Sequence, residues 1–229
     1  MTRTGVAGSA SRISFAQVAV DRATAGSTSG TMVFAATSAG VIRSGNSGGS
    51  WSVVLPGFAT DIVQHPTRSD TWYAALGNLF GSGSNGIFIS TNNGASWTII
   101  SQPLGSPVSF GRTHLAVSAA RPGALWAIAA NPSNRAFRTL QRWDEGTGLW
   151  TLLAANGITF QQQFDEGDFG TQSEYNLVLS VDPVDENKII IGGVRLFRSV
   201  DGGTNFHVIA GNVHSDWHSA VFDPTDSRR

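Results

Sequence analysis

The chain has 229 residues, a formal net charge of −1 and no cysteine. The charge provides no basic field for a nucleic-acid partner. The lack of cysteine excludes disulfides, thiolate metal sites and a cysteine nucleophile. Glycine is abundant, with 27 residues, and only 14% of residues are charged, which favours many short strands joined by tight turns. No apolar run is long enough to insert into a membrane.

Four units with the same pattern follow one another along the chain. Each contains four short apolar segments separated by turn residues, which is typical of an antiparallel four-stranded sheet. The units are predicted over residues 15–57, 58–104, 112–156 and 175–212, within a single domain that spans 15–229. A lead-in (1–14) precedes them, an insertion (157–174) separates the last two, and 213–229 is predicted to contain the first strand of a fifth unit.

An octapeptide of the form Ser-x-Asp/Asn-x-Gly-x-x-aromatic lies between the third and fourth segments of three units. We expect its Asp or Asn to bond the backbone of the turn, its Gly to supply a positive φ and its aromatic ring to pack over the sheet. Unit three has only a degenerate version of it. The residues with this predicted structural role are Ser44, Asn46, Gly48, Trp51, Ser90, Asn92, Gly94, Trp97, Asp144, Trp150, Ser199, Asp201, Gly203 and Phe206.

These repeats resemble the Asp-box, or BNR repeat, of β-propellers, which sialidases, sortilin-type receptor domains, xyloglucanases and photosystem II assembly factors share. Residues 175–183, 192–206 and 214–218 are most similar to secreted bacterial propellers described as sialidase-like or as glycosyl-hydrolase BNR-repeat proteins. The resemblance covers about residues 15–224. It implies an all-β propeller of four blades and part of a fifth, truncated from a ring of six to eight, with the remaining blades missing from this sequence. It also implies a secreted or cell-surface location.

Acidic residues in the insertion are candidates for glycoside hydrolysis. Asp165, Glu166 and Asp168 lie in a segment with aromatic and glutamine residues, among them Phe164. A glycosidase needs two carboxylates about 5–10 Å apart across a cleft. The alternative is a solvated acidic loop with no catalytic role.

Sialidase chemistry would require, by the resemblance, three arginines, a tyrosine nucleophile with a glutamate partner, and an aspartic acid. The chain has two tyrosines. Tyr73 lies in a second-strand pattern and is predicted to be packed, whereas Tyr175 precedes a first strand and is the catalytic candidate. The Arg-Ile-Pro motif of sialidases has only an imperfect counterpart that lacks the proline, at residues 11–15.

A polar pattern, His214-x-Asp216-x-His218, lies where the first strand of the fifth unit is predicted to begin. Residues i, i+2 and i+4 of a strand project to one face, so these three are the candidates for a divalent cation. The alternative is a polar strand entrance without metal. Asp61 occupies a similar position and could face the central channel. The predicted ligand-binding residues are His114, Phe164, Asp216, Trp217 and His218, with Trp143 as a further stacking candidate.

Three hypotheses about function follow from these residues. The first is a non-catalytic propeller that binds a glycan or a protein on its central face. The second is part of a sialidase-like or xyloglucanase-like glycoside hydrolase, with catalytic residues partly outside this chain. The third is an assembly scaffold. No motif for phosphate, dinucleotide or serine-nucleophile chemistry occurs, and no cofactor is expected apart from the divalent cation just considered.

Overall fold

The computed structural model describes residues 13–100, 106–155, 171–211, 216–224 and 226. These residues form four antiparallel four-stranded sheets, in each of which the strands lie side by side in chain order. The predicted all-β fold with four-stranded blades is therefore confirmed. We number the sheets as blades 1 to 4. No helix in the described residues is long and apolar enough to cross a membrane.

The blades are built from short strands. Blade 1 contains β1 (Phe15–Val20), β2 (Val33–Thr37), β3 (Gly40–Ser44) and β4 (Ser52–Pro56). Blade 2 contains β5 (Ala59–Gln64), β6 (Trp72–Leu76), β7 (Gly86–Ser90) and β8 (Thr98–Ile99). A 3₁₀ helix (Pro107–Ser109) precedes blade 3, which contains β9 (Thr113–Val117), β10 (Ala124–Ala130), β11 (Phe137–Asp144) and β12 (Leu149–Ala155). Blade 4 contains β13 (Val178–Val181), β14 (Ile189–Gly192), β15 (Leu196–Ser199) and β16 (His207–Ile209).

The hydrophobic core consists of three layers, each lying between two consecutive blades. Side chains of a strand alternate between its two faces, so one strand can serve two layers. In β6, Trp72 and Ala74 pack in the layer shared with blade 1, whereas Tyr73 and Ala75 pack in the layer shared with blade 3. This is why the second strands are apolar at almost every position, and why Tyr73 is buried as predicted.

The strand order gives each blade two distinct ends. The first strands β1, β5, β9 and β13 pack against one another in sequence, so they form the inner side of the arc of blades. In an antiparallel meander, the first and third turns lie at one end and the second turn and the exit lie at the other. The octapeptide turns therefore lie at one end, the box end. The starts of the first strands lie at the opposite end, the entrance end.

The three octapeptide turns share one hydrogen-bond pattern. Ser90 Oγ donates to Asn92 Oδ1 at 2.9 Å and accepts from Gly94 N at 2.9 Å, while Asn92 Oδ1 accepts from Ser96 N at 2.9 Å. The turns at residues 44–51 and 199–206 repeat these bonds. The Ser-Asn and Ser-Asp pairs therefore replace backbone bonds that the tight turn cannot make.

The aromatic residues that close the third turns of blades 2, 3 and 4 do more than cover their own blades. Trp97, Trp150 and Phe206 each lie in the core layer shared with the preceding blade. The glycine of the turn is also in contact there: a Cβ on Gly94 would lie 2.6 Å from Phe34 Cε1 of blade 1. The turns thus contribute to blade-to-blade packing, whereas the sequence indicated only a contact with their own blade.

The predicted first strand of a fifth blade is not formed. Residues 216–224 make no strand ladder, because no strand in the described residues lies beside them. A single extended segment cannot satisfy its backbone groups by itself. The segment is instead attached to blade 4, where Asp216 N donates to Val194 O at 3.1 Å and Trp217 N donates to Gly193 O at 2.9 Å.

Candidate functional site

Several of the predicted residues meet at the entrance end of blade 4. The rings of Tyr175 and His218 are 4.6 Å apart between centroids and nearly perpendicular, at 85°. Tyr175 is 60% exposed, His218 is exposed and the neighbouring Trp217 is half-buried. These three rings come from two segments that are distant in sequence, so the sequence alone did not predict their contact. We call Tyr175, Trp217 and His218 the aromatic edge.

Tyr175 is held by a tight turn just before β13. The backbone N–H groups of Tyr175 and Asn176 both donate to Gln172 O, at 2.7 and 3.0 Å. The side chain of Asn176 then reaches the other segment, with Nδ2 donating to Asp216 Oδ1 at 3.1 Å. This bond links the turn to the segment that carries His218.

Asp216 has a backbone conformation that is rare outside glycine. Its φ of 76° lies in the left-handed region, which Asp and Asn adopt more readily than other side chains. The two backbone bonds to blade 4 hold this conformation, and Asp216 is exposed. The conformation turns the chain sharply between residues 216 and 217 and so brings His218 towards Tyr175.

Arg112 supports the turn from blade 3 and was not among the predicted residues. Its Nη1 donates to the backbone carbonyls of Glu174 and Tyr175, at 3.1 Å each, and its Nε donates to His114 Nε2 at 3.1 Å. Burial lowers the pKa of Arg112, and the neighbouring carboxylates of Asp61 and Glu174 oppose this shift. The only signal in the sequence was its position two residues before His114.

His114 lies between Arg112 and Asp61. Its Nδ1 is 3.2 Å from Asp61 Oδ2, and its Nε2 accepts the bond from Arg112, so these contacts assign the proton to Nδ1. Asp61 was expected to be able to face the central channel, and this is wrong. It is 1% exposed and accepts from the backbone N–H groups of Leu115 and Ile62, both at 2.8 Å, because it joins β5 to β9.

The other predicted site residues are not at the aromatic edge. Trp143 is 8% exposed and packs edge-on against Tyr73 in the layer between blades 2 and 3, so the prediction of ligand stacking is wrong for it. The candidates that lie outside the described residues are Phe164, Asp165, Glu166, Asp168 and His214. Within the described ranges, no three His, Cys, Asp or Glu side chains lie close enough together to hold a metal ion among them.

The arrangement combines the exposed rings of Tyr175 and His218 with the exposed carboxylate of Asp216, which lies two residues before His218 and is bonded to the turn that carries Tyr175. Rings of this kind pack against the apolar face of a ligand, and a neighbouring carboxylate accepts hydrogen bonds from its hydroxyl groups. Arg112 is not free to bind an anion there, because its Nε, Nη1 and Nη2 all contact protein atoms.

The fold is similar to those of solved propeller proteins. One is a GH74 enzyme from Niastella koreensis, with a TM-score of 0.56 and 23% identity over 79% of this chain and 28% of that chain. Another is the GH74 xyloglucanase from Xanthomonas campestris, with a TM-score of 0.54 and 16% identity over 80% of this chain and 28% of that chain. A third is a TolB protein from Agrobacterium tumefaciens, with a TM-score of 0.53 and 16% identity over 82% of this chain and 60% of that chain. At these identities the similarity establishes the β-propeller fold alone.

The chain spans 28% of the length of each of the two GH74 enzymes. No protein-family model matches the sequence, and no curated protein matches it either.

Proposed function

We propose that the protein binds a neutral glycan at the aromatic edge, as a non-catalytic propeller module of a secreted or cell-surface protein. The observation that carries this proposal is the perpendicular pair of Tyr175 and His218, which presents an exposed ring at the entrance end of the inner strands. Sugar rings have an apolar face that packs on such side chains and hydroxyls that reach groups such as the Asp216 carboxylate.

The hydrogen bonds that Arg112 already makes support a neutral glycan over an acidic one. An acidic sugar would need a cationic group with free donors, and Arg112 already bonds His114 and two backbone carbonyls. The fold similarity to a xyloglucanase makes xyloglucan oligosaccharides the first probe. The turns at residues 44–51, 90–97 and 199–206 further support a place among Asp-box propellers, because they share one set of side-chain bonds.

Calorimetric titration with xyloglucan and other neutral oligosaccharides tests the proposal. Tyr175→Ala and His218→Ala should each weaken binding about tenfold, which corresponds to about 1.4 kcal/mol. Phe15→Ala is the matched control, because Phe15 is 62% exposed but lies in β1 of blade 1. Unchanged affinity of Tyr175→Ala, or the absence of binding to every neutral glycan tried, contradicts the proposal.

Glycoside hydrolysis is the second candidate function, and Asp216 is the observation that favours it. A non-glycine residue with positive φ beside a candidate ligand site is the kind of strained position found at active sites. Assays of release from xyloglucan and from chromogenic glycosides decide between the two functions. Suppose that the protein releases sugar and that Asp216→Asn, or substitution of Asp165, Glu166 or Asp168, abolishes this turnover. The proposed function would then be hydrolysis and not glycan binding alone.

A further inference from the structure

The turn before β13 contains buried oxygen atoms without a hydrogen-bond partner. Five side-chain oxygens of the described residues are buried and unpartnered, and three of them belong to Ser173, Glu174 and Asn176. Ser173 and Asn176 are both 0% exposed. Burying a polar oxygen without a partner is costly, so three such atoms in four residues indicate that a bound species is part of the folded site.

The geometry of the turn places two of these side chains together. The bonds from Tyr175 N and Asn176 N to Gln172 O form one helical turn, and residues three apart in such a turn lie on the same side. Ser173 and Asn176 are three apart. Asn176 Nδ2 bonds Asp216 Oδ1, which brings one carboxylate to the same place.

The local charges favour a cation. Asp216 has no ion-pair partner in the described part of the chain. The two nearby arginines are already matched, since Arg135 Nη1 lies 3.5 Å from Glu174 Oε1, and Arg112 lies beside Asp61 and Glu174. A carboxylate with neutral oxygens around it, and without nitrogen or sulfur, is the donor set of a hard cation.

We infer that Ser173 Oγ, Asn176 Oδ1 and the Asp216 carboxylate hold a calcium ion that joins the turn to the 216–218 segment. This ligand set differs from the His214-x-Asp216-x-His218 pattern of the sequence, because the histidines take no part in it. The ion would fix the distance between Tyr175 and His218. A site with few charged ligands is expected to bind calcium weakly, with a dissociation constant in the range of about 10⁻⁴–10⁻³ M.

Thermal unfolding of the chelator-treated full chain tests this inference with calcium alone as the probe. Calcium about 100-fold above its dissociation constant should raise Tm by about 5–10 °C, whereas NaCl at equal ionic strength should not. Calorimetry should show one calcium site per chain, with weaker binding of magnesium, which demands a more regular geometry. No calcium-dependent change in either measurement overturns the inference and identifies water as the partner of these oxygens.

Three variants make the test specific. Asp216→Asn keeps the shape and the tolerance of positive φ but removes the charge, so it should lose most of the calcium-dependent shift. Ser173→Ala should reduce the calcium-dependent shift in Tm in part. This variant provides the test if Asp216→Asn folds poorly. Asn176→Asp adds a second carboxylate beside that of Asp216. The two carboxylates repel each other when calcium is absent and both bind calcium when it is present, so the calcium-dependent shift in Tm should exceed that of the unmodified protein.

Asp70→Asn is the matched control, because Asp70 is an exposed carboxylate at the box end of blade 2. It should leave the calcium-dependent shift unchanged. Equal shifts in Asp216→Asn and in the unmodified protein would overturn the inference. The inference does not rest on the glycan proposal, since the readout requires the ion alone.

Discussion

Asp61 of blade 2 and His114 of blade 3 are joined across the blade boundary, with Asp61 Oδ2 3.2 Å from His114 Nδ1. The same carboxylate accepts from the backbone N–H of Leu115 at 2.8 Å. Through His114 and Arg112 this pair connects to the turn that carries Tyr175. A buried residue of blade 2 therefore contributes to the position of an exposed residue before blade 4.

Removing the Asp61 carboxylate should destabilise the fold strongly. Asp61→Ala leaves the Leu115 N–H and the His114 Nδ1–H without an acceptor in a buried place, and we expect the free energy of unfolding to fall by about 3–5 kcal/mol. Asp61→Asn keeps one acceptor oxygen and should cost about 1–2 kcal/mol. Urea unfolding measures both values. An Asp61→Ala variant within about 0.5 kcal/mol of the unmodified protein would contradict the role of this contact.

Substitution of two turn glycines should separate backbone strain from blade packing. Gly94 and Gly48 have φ values of 73° and 87°, so alanine strains the backbone at both positions. Only at Gly94 would the new Cβ meet a blade partner, 2.6 Å from Phe34 Cε1; at Gly48 the nearest atom is in Trp51, at 3.9 Å. We expect Gly94→Ala to be less stable than Gly48→Ala by about 1–3 kcal/mol in chemical unfolding. Equal losses of unfolding free energy in the two variants would show that the contact with Phe34 does not destabilise Gly94→Ala.

Acid should weaken the third octapeptide turn through Asp201. The backbone N–H of Asn205 is the largest of the hydrogen-bond effects that lower the pKa of Asp201 to about 2, below the usual value of about 3.9. A carboxylate with a lowered folded-state pKa contributes stability above its unfolded value, and this contribution is lost as pH falls from about 4 towards 2.

The first two turns provide a design without this sensitivity, because they have Asn and Ser where this turn has Asp201 and Asn205. The double variant Asp201→Asn, Asn205→Ser should match the unmodified protein near pH 7 and show a shallower loss of Tm between pH 4 and pH 2. Identical pH profiles would count against the assignment of the low pKa to Asp201.

His65 should make stability fall in mild acid. Burial, followed by the charge of Arg68, lowers the pKa of His65. Its Nδ1 accepts from the backbone N–H groups of Thr67 and Arg68, at 3.2 and 3.1 Å, and protonation would remove both bonds. Since the unfolded chain binds this proton more readily, the stabilising contribution is present above about pH 6.5 and declines below it.

NMR titration of the His65 ring should therefore give a midpoint below 6.5. His65→Asn is the informative variant, since Asp182 Oδ1 accepts the equivalent backbone bonds in blade 4, at 2.7 and 3.1 Å. It should retain the turn and lose part of the decline in Tm between pH 7 and pH 5. A ring midpoint at or above 6.5 would refute this account.

The sequence predicted the repeating structure well because that structure depends on local chemistry. The apolar segments and the Ser-x-Asp/Asn-x-Gly turns specify hairpins from residues within about ten positions of one another. The same logic failed for residues 216–224, whose apolar pattern predicts a strand. A strand forms only beside a partner, and no described strand lies beside this segment.

The candidate site was predicted only in part. Tyr175, Asp216, Trp217 and His218 were singled out because polar and aromatic residues precede the first strands, but nothing in the sequence showed that they meet. Arg112 was not singled out, since its importance lies in bonds to backbone carbonyls 62 and 63 residues away.

The sequence by itself determined that this protein is built of four-stranded blades, and which turns close them, because hairpins depend on neighbouring residues. The tertiary structure alone decided that the turn aromatics of blades 2, 3 and 4 pack between blades, that Asp61 is buried, and that the aromatic edge joins two distant segments. These are contacts between blades, and the energies that select them come from surfaces that face each other only after the blades have packed side by side.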